Sequence, residues 1–315
     1  MNKKSRTHRI LKALLVTLSI PVILFWVLII LLYIPPVQKF AVDYICKEAS
    51  KQTGYDISIS SVHLAFPLKL RVSGFEMSKE SCVYALGDKA SVNISLMPLF
   101  KGEVELNYIS LEHIKLETRE MIPDVEIKGE IGYFRTVARN IDLTKEIANI
   151  RQVHLHSANI HVTVRDSISD EEEEDEEPLK WKINLRRAKV ENCTFTVSMP
   201  LDPMQITAKV GKLRARGGHA DLENELYSIA GIELVNSDVK YDKGIESATE
   251  APLDHLELQE IYLAAGDLKY KGSNADVRID NLMFLQPGGI RLTGASAIAK
   301  VTPIGIELEK LYYKL

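Results

Sequence analysis

From Ile57 onward, apolar residues recur at every second position. Ile57/Ile59, Val62/Leu64 and Leu68/Leu70/Val72 alternate with polar residues, as do Val92/Ile94/Leu96, Val104/Leu106, Ile109/Leu111 and Ile114/Leu116. Val277/Ile279, Leu282/Phe284, Ile290/Leu292 and Ile304/Ile306/Leu308 continue the pattern towards the C-terminus. Successive side chains of a strand point to opposite faces, so this period predicts strands with one apolar and one polar face. Pro67, Gly74, Gly87, Pro98, Gly102 and Pro123 punctuate the runs. One interruption, TVARNIDLTKEIANI within Tyr133–Ile150, predicts a short helix. Almost no other helix pattern is available to cover the apolar faces. They must be covered by other strands, or by something apolar that is not protein. A closed sandwich or barrel is the first solution. The second is an open, curled sheet with an apolar trough that acyl chains can fill.

The middle of the chain repeats itself. VHLHSANIHV (153–162), AKVENCTFTV (188–197), IELVNSDVKY (232–241) and IYLAAGDLKY (261–270) share one pattern. Each has two alternating apolar positions, a break, then two more. The residues flanking the breaks are Leu155/Ile160, Val190/Phe195, Leu234/Val239 and Leu263/Leu268. Ser157, Asn159, Asn192, Asn236, Asp238, Gly266 and Asp267 fill the breaks, and these residue types predict that the chain turns there. The uneven spacing of the copies fits strands with variable connections, not a helical solenoid. Between the first two copies, DSISDEEEEDEEP sets eight acids in a row, which predicts a disordered, solvated loop over 168–178.

At the other end, Ala13–Ile34 carries no charge. At about 1.5 Å per residue such a run spans roughly 33 Å, enough for a bilayer core. Lys3, Lys4, Arg6, Arg9 and Lys12 precede it without an acid among them. The positive-inside rule places this basic tail, 1–12, in the cytoplasm and the bulk of the chain on the other side. A cleaved signal peptide is the rival reading, but its apolar core is shorter, about 7–15 residues, and ends in small residues. Pro35-Pro36 then opens a helix over 35–54, since proline fits a first turn, with Gly54 as its C-cap. Val37, Phe40, Ala41, Tyr44, Ile45 and Ala49 form its apolar face, which either lies on the lipid surface or caps the end of a sheet. Residues 55–315 make the β domain. The chain stops soon after a strand pattern, which reads as the opening of a longer repeat array.

Charge excludes some functions. The net charge is −4, and without the acidic run it is mildly positive, so no basic face for nucleic acid is indicated. Cys46, Cys82 and Cys193 are too few and too far apart for a disulfide framework or a zinc site, with Cys46 expected on a helix and Cys193 in a turn. No nucleophile elbow, P-loop, dinucleotide fingerprint or zinc-protease motif is present, so the chain reads as no enzyme, with no cofactor. His154, His156 and His161 flank apolar positions and are expected on the outer, solvated face. Gln286-Pro287-Gly288-Gly289 is a turn, because no helix pattern follows it.

The anchor, the helix VQKFAVDYICKEASKQTGYDISI, the segment VHLAFPLKLRVSGFEM, then LNYISLEHIKLET and the repeats together resemble the N-terminal part of the AsmA-like superfamily, closest to its TamB branch. The resemblance implies a taco-like, antiparallel-type β-groove in the periplasm, anchored in the inner membrane. It implies carriage of phospholipid between the two membranes and support of outer-membrane assembly with a barrel partner, reached through a C-terminal region absent from this sequence. The expected apolar wall is Leu155, Ile160, Val162, Val190, Phe195, Val197, Leu234, Val239, Leu263 and Leu268. The competing reading is a docking module for outer-membrane proteins with a closed β core, acting by strand addition.

Overall fold

The computed structural model describes residues 33–315, apart from 66–67, 100, 102, 104, 120, 122–123, 166–179, 202 and 245–254. The basic tail, the apolar run as far as residue 32 and the acidic stretch lie outside the described residues. Among those described, no helix is long and apolar enough to cross a membrane.

A helix, α1 (Pro35–Thr53), leads into β1 (Asp56–Ala65), β2 (Lys69–Lys79), β3 (Cys82–Ile94), a single helical turn α2 (Leu96–Leu99) and β4 (Leu106–Glu117). Then come β5 (Val125–Asp142), β6 (Ile147–Val164), β7 (Lys182–Met199), β8 (Met204–Asp221), β9 (Leu226–Lys243) and β10 (His255–Lys271). The last three are β11 (Asn274–Leu285), β12 (Arg291–Thr302) and β13 (Gly305–Lys314). All thirteen form one sheet in sequence order, and the sheet does not close: among the described residues β1 pairs only with β2, and β13 only with β12. Alternation therefore did encode strands, and they are stacked as successive neighbours.

Three local expectations are corrected. The predicted helix within Tyr133–Ile150 is instead the hairpin joining β5 to β6. Asp142 mimics a helix cap, its Oδ1 accepting the N–H of Thr144 and of Lys145 at 3.0 Å each, but the chain reverses after one turn. Ile141 then faces Ala148 across the pair, and with Ala138 they form a small buried cluster against Ile109, Ile150 and Trp181. The breaks in the repeats are not turns. Each copy lies within one uninterrupted strand of 17 or 18 residues, β6, β7, β9 or β10. Ser157, Asn192, Asn236 and Asp267 do take left-handed backbone, φ 50–54°, but as single residues. A left-handed residue in a strand makes a bulge, which bends the strand without ending it. Cys193 accordingly sits in β7 beside that bend, 2 % exposed, not in a turn.

The third correction concerns direction. Every neighbouring pair is antiparallel except β6 and β7, which are parallel. Val153 faces Ala188, Leu155 faces Val190 and Ile160 faces Phe195. The spacing between the first two repeat copies is thus the register of this pair. Tight turns make antiparallel neighbours, and only the long insertion between these copies lets the chain return to the starting end.

Helix α1 packs on the edge strand β1, but not through its expected apolar face. Gln38 and Cys46 are its buried residues, while Phe40 is 75 % exposed and Tyr44 and Ile45 are exposed with it. Gln38 Oε1 accepts the Leu64 N–H at 3.1 Å and its Nε2 donates to the Leu64 carbonyl at 3.3 Å. Ser50 Oγ accepts the Ile57 N–H at 3.0 Å. These side chains meet backbone groups that an edge strand leaves open, so the helix caps the sheet. Gly54 ends it in left-handed geometry, φ 73°, with its N–H on the Ser50 carbonyl.

Candidate functional site: an apolar trough across thirteen strands

The register builds one continuous row of apolar side chains across the whole sheet. From edge to edge it runs Val62, Val72, Ala90, Leu111, Phe134, Leu155, Val190, Leu213, Leu234, Leu263, Leu282, Ala295, Tyr313, each directly opposite the next. At about 4.8 Å between strands, thirteen strands give a strip nearly 58 Å long. No polar residue interrupts it.

Parallel rows widen the strip. Ile57, Met77, Ala85, Leu116, Gly129, Ile160, Phe195, Ala208, Val239 and Leu258 cross β1 to β10. Val162 and Val197 belong to a further row with Ile127, Ile206 and Tyr241. On the other side Leu268 faces Ile229, which shares an apolar cavity of about 220 Å³ with Leu185 and Ala215. All ten residues expected in the wall therefore fall in four cross-strand rows, with the Ile131–Ala158 pair between those of Leu155 and Ile160 and the Ala265–Ile232 pair between those of Leu263 and Leu268. The odd spacing between Leu155 and Ile160 would put them on opposite faces of a regular strand. The left-handed residue adds one step and re-aims the side chains, so the apolar face continues across the bend.

None of these ten side chains is fully buried, and all are half-buried. The buried apolar residues among those described are mostly alanines and cysteines, with Ile114, Ile141, Ile261 and Leu292 the only large ones. A closed sandwich would bury its large side chains and leave alanine to the margins. Here the order is reversed: the buried positions are mostly small, and most of the large apolar residues are only half-buried. The bends themselves are dense, with Ala158 3 %, Cys193 2 % and Ser237 1 % exposed. Ser237 Oγ accepts the Gly211 N–H at 3.2 Å and donates to the Val235 carbonyl at 3.1 Å. Burial pushes the Cys193 thiol up, so it is a packing group with its S–H on the Glu191 carbonyl at 3.2 Å.

The polar rows satisfy themselves. Asn149 donates to Asn140 at 3.0 Å, Asn184 donates to Asn149 at 3.0 Å, and His219 meets Asn184 at 2.9 Å, a ladder over four strands. His154 and Glu191 stand 3.2 Å apart, with Lys189 at 2.6 Å and Lys212 at 3.7 Å from the same carboxylate. The Lys189 ammonium foremost, with His154 and Lys212, holds Glu191 down to about 2 against partial burial. His156 bonds to Ser157 and His161 to Ser198, so the three histidines engage separate partners. Glu103, Glu105 and Asp142 come close enough to share a cation, but the Lys145 ammonium already sits 3.0 Å from both Glu103 and Asp142. Those two carboxylates raise Lys145 to about 12.

What this face offers chemically is apolar contact over a long strip. The ten expected positions lie in these rows, but the expected wall did not include Phe134, Leu213 or the members on β1 to β4 and β11 to β13. Leu213 lies in KVGKLRARGG, where cations and glycines obscure the alternation. No family model matches the chain, and no curated protein matches it.

Proposed function

We propose that the chain is a membrane-anchored, extracytoplasmic scaffold of the AsmA/TamB type that carries phospholipid acyl chains in an apolar β-groove. The uninterrupted apolar row from Val62 to Tyr313, half-exposed along almost its whole length, carries this reading. Water contact over such an area is costly, at roughly 25 cal/mol per Å² of apolar surface. Acyl chains lie along an elongated trough as no compact ligand does. The apolar run over 13–34, with its basic flank, supplies the anchor in the inner membrane and sets a lipid source at one end. On this reading the bulk of the chain is periplasmic, supports outer-membrane biogenesis and has no catalytic step.

Photoreactive residues at Leu234 and Leu263 test it, because the two face each other directly and must see the same occupant. Phospholipid adducts at both positions in native membranes are expected. Adducts only to the chain itself mean a closed core and overturn the proposal. A second reading, strand addition, rests on β13. It is unpaired on its outer side among the described residues and exposes Ile306, Leu308, Leu311, Tyr312 and Tyr313. Photocrosslinks from Tyr313 to polypeptide, with none to lipid at Leu234, favour that reading instead.

A further inference from the structure

Helix α1 has a second face that the capping of β1 leaves unused. Gln38, Cys46 and Ser50 occupy the side turned to the sheet, the first two buried and the third bonded to Ile57. On the opposite side Val37, Phe40, Tyr44, Lys47 and Lys51 follow one another at steps of three and four, which keeps them in one stripe. All five are exposed, Phe40 at 75 % and Tyr44 at 64 %. The stripe is apolar and aromatic in the N-terminal half of the helix and cationic in the C-terminal half. Of the two acids on the helix, Glu48 stands 3.7 Å from Lys51, and Asp43 lies outside the stripe. Exposed aromatic residues and lysines along one side are the composition of a helix that lies in a membrane interface.

The place of the helix in the chain names the surface. The uncharged run 13–34 ends directly before Pro35, the first residue of α1. On the anchored reading above, α1 therefore starts at the membrane surface with no spacer. At about 1.5 Å per residue, Phe40 lies about 9 Å along the helix from Ile34 and Tyr44 about 15 Å. The headgroup layer of one leaflet is only about 5–8 Å thick. A helix standing upright would lift Tyr44 out of that layer into water. Lying in the plane, the same helix keeps the whole stripe at headgroup level, where aromatic rings settle and lysine ammoniums meet lipid phosphates. The sheet follows the helix. Gln38 meets Leu64 and Ser50 meets Ile57, so α1 runs alongside β1. β1 is then parallel to the bilayer and about 10 Å from it, one helix diameter. From Val62 the apolar row leads away from the membrane, strand by strand.

We propose that Val37, Phe40, Tyr44, Lys47 and Lys51 form a docking stripe for the surface of an anionic phospholipid bilayer, and that this contact lays α1 and β1 in the membrane plane. The inference rests on the anchored reading and adds to it the contact surface and the orientation. Docked in this way, the apolar strip stands upright on the membrane with its β1 end nearest the lipid.

The test uses full-length protein in vesicles of phosphatidylethanolamine and phosphatidylglycerol. Benzoylphenylalanine replaces Phe25 in the apolar run, Phe40 or Tyr44 in the stripe, or Lys39, which is exposed on another side of the helix. Mass spectrometry of the photoadducts is expected to show lipid at positions 25, 40 and 44, and at least fivefold less at position 39. No lipid adduct at position 25 overturns the anchor, and this inference with it. Adducts at position 25 with none at 40 and 44 overturn this inference alone. So do lipid adducts at Leu234 and Leu263 with none at 40 and 44, which leave the trough reading standing. Adducts from 40 and 44 to polypeptide mean that a protein or a second copy covers the stripe, and they overturn it too. Equal lipid yields at 39 and 44 overturn the orientation. Lys47→Gln with Lys51→Gln should lower the yield at position 44 at least threefold in these vesicles and leave it unchanged in phosphatidylcholine alone. The same yield in both vesicles overturns the part assigned to the lysines.

Discussion

The two faces of the sheet solve opposite problems. On the polar face many charged and amide side chains have a neighbour within the sheet, as in the Asn140–Asn149–Asn184–His219 ladder and the Arg214–Glu233 pair. On the apolar face Leu155, Val190, Leu234 and Leu263 stand opposite one another across strands, and none of them is buried among the described residues. Polar groups find partners in the plane of a sheet, because hydrogen bonds and ion pairs are short and pairwise. Apolar surface needs a second layer, because it is removed from water only by being covered. A sheet paired on one side and apolar on the other offers the surface that the proposed acyl chains would cover.

The largest effect that would break this contrast comes from charge on the apolar face. Leu234→Asp is expected to leave far-UV circular dichroism and expression intact and to reduce copurifying phospholipid at least tenfold. In a closed core the same change buries a charge and unfolds the protein, so loss of the β spectrum counts against an open trough. The bends give the next effect, because they are densely packed, with Cys193 2 % and Ala158 3 % exposed. Cys193→Leu should lower stability by about 1–3 kcal/mol in urea unfolding through overpacking. Leu213→Met, half-exposed on the trough, should change it by less than about 1.5 kcal/mol. Equal costs at the two positions would mean that the trough is packed as tightly as the bends.

Backbone geometry at the bends predicts a smaller change. Asn236 holds φ at 50°, so Asn236→Val should cost about 1–2 kcal/mol, and Asn236→Gly should be nearly neutral. A Val variant as stable as the parent would show that the bend has relaxed to regular strand. The smallest effect lies on the polar face. The folded protein holds Glu191 below its unfolded value, so its contribution is present above the usual carboxylate range and is lost as pH falls from about 4.5 towards about 2. Glu191→Gln should flatten the acid limb of a stability–pH profile over that window and leave the neutral region little changed. An unaltered acid limb would mean that Lys189 and His154 do not hold the carboxylate in solution.

Several features of this architecture were readable from residue order. The alternation marked the strands, and the repeat copies marked β6, β7, β9 and β10. The bends were also written there and misread. Apolar pairs at 109/111 and 114/116 switch from odd to even with too few residues between them for a turn, and His113 takes φ 50° at the switch. An odd step inside an otherwise strict alternation signals a bulge, whereas Asn and Ser at that step suggest a turn only when the chain reverses. The helix expected near Asp142 failed for a similar reason: its capping side chain serves a hairpin turn equally well.

By itself the sequence determined the strands and their two-faced character, because side-chain alternation is a property of one segment and its solvent. It also determined which strand positions are apolar, since hydrophobicity at each position is local. Only the tertiary structure decided that β6 and β7 run parallel, that thirteen strands follow one another without closing, and that the apolar positions line up as one strip. Register and closure depend on which residues of distant segments meet, and a period of two is satisfied equally by a barrel, a sandwich or an open trough.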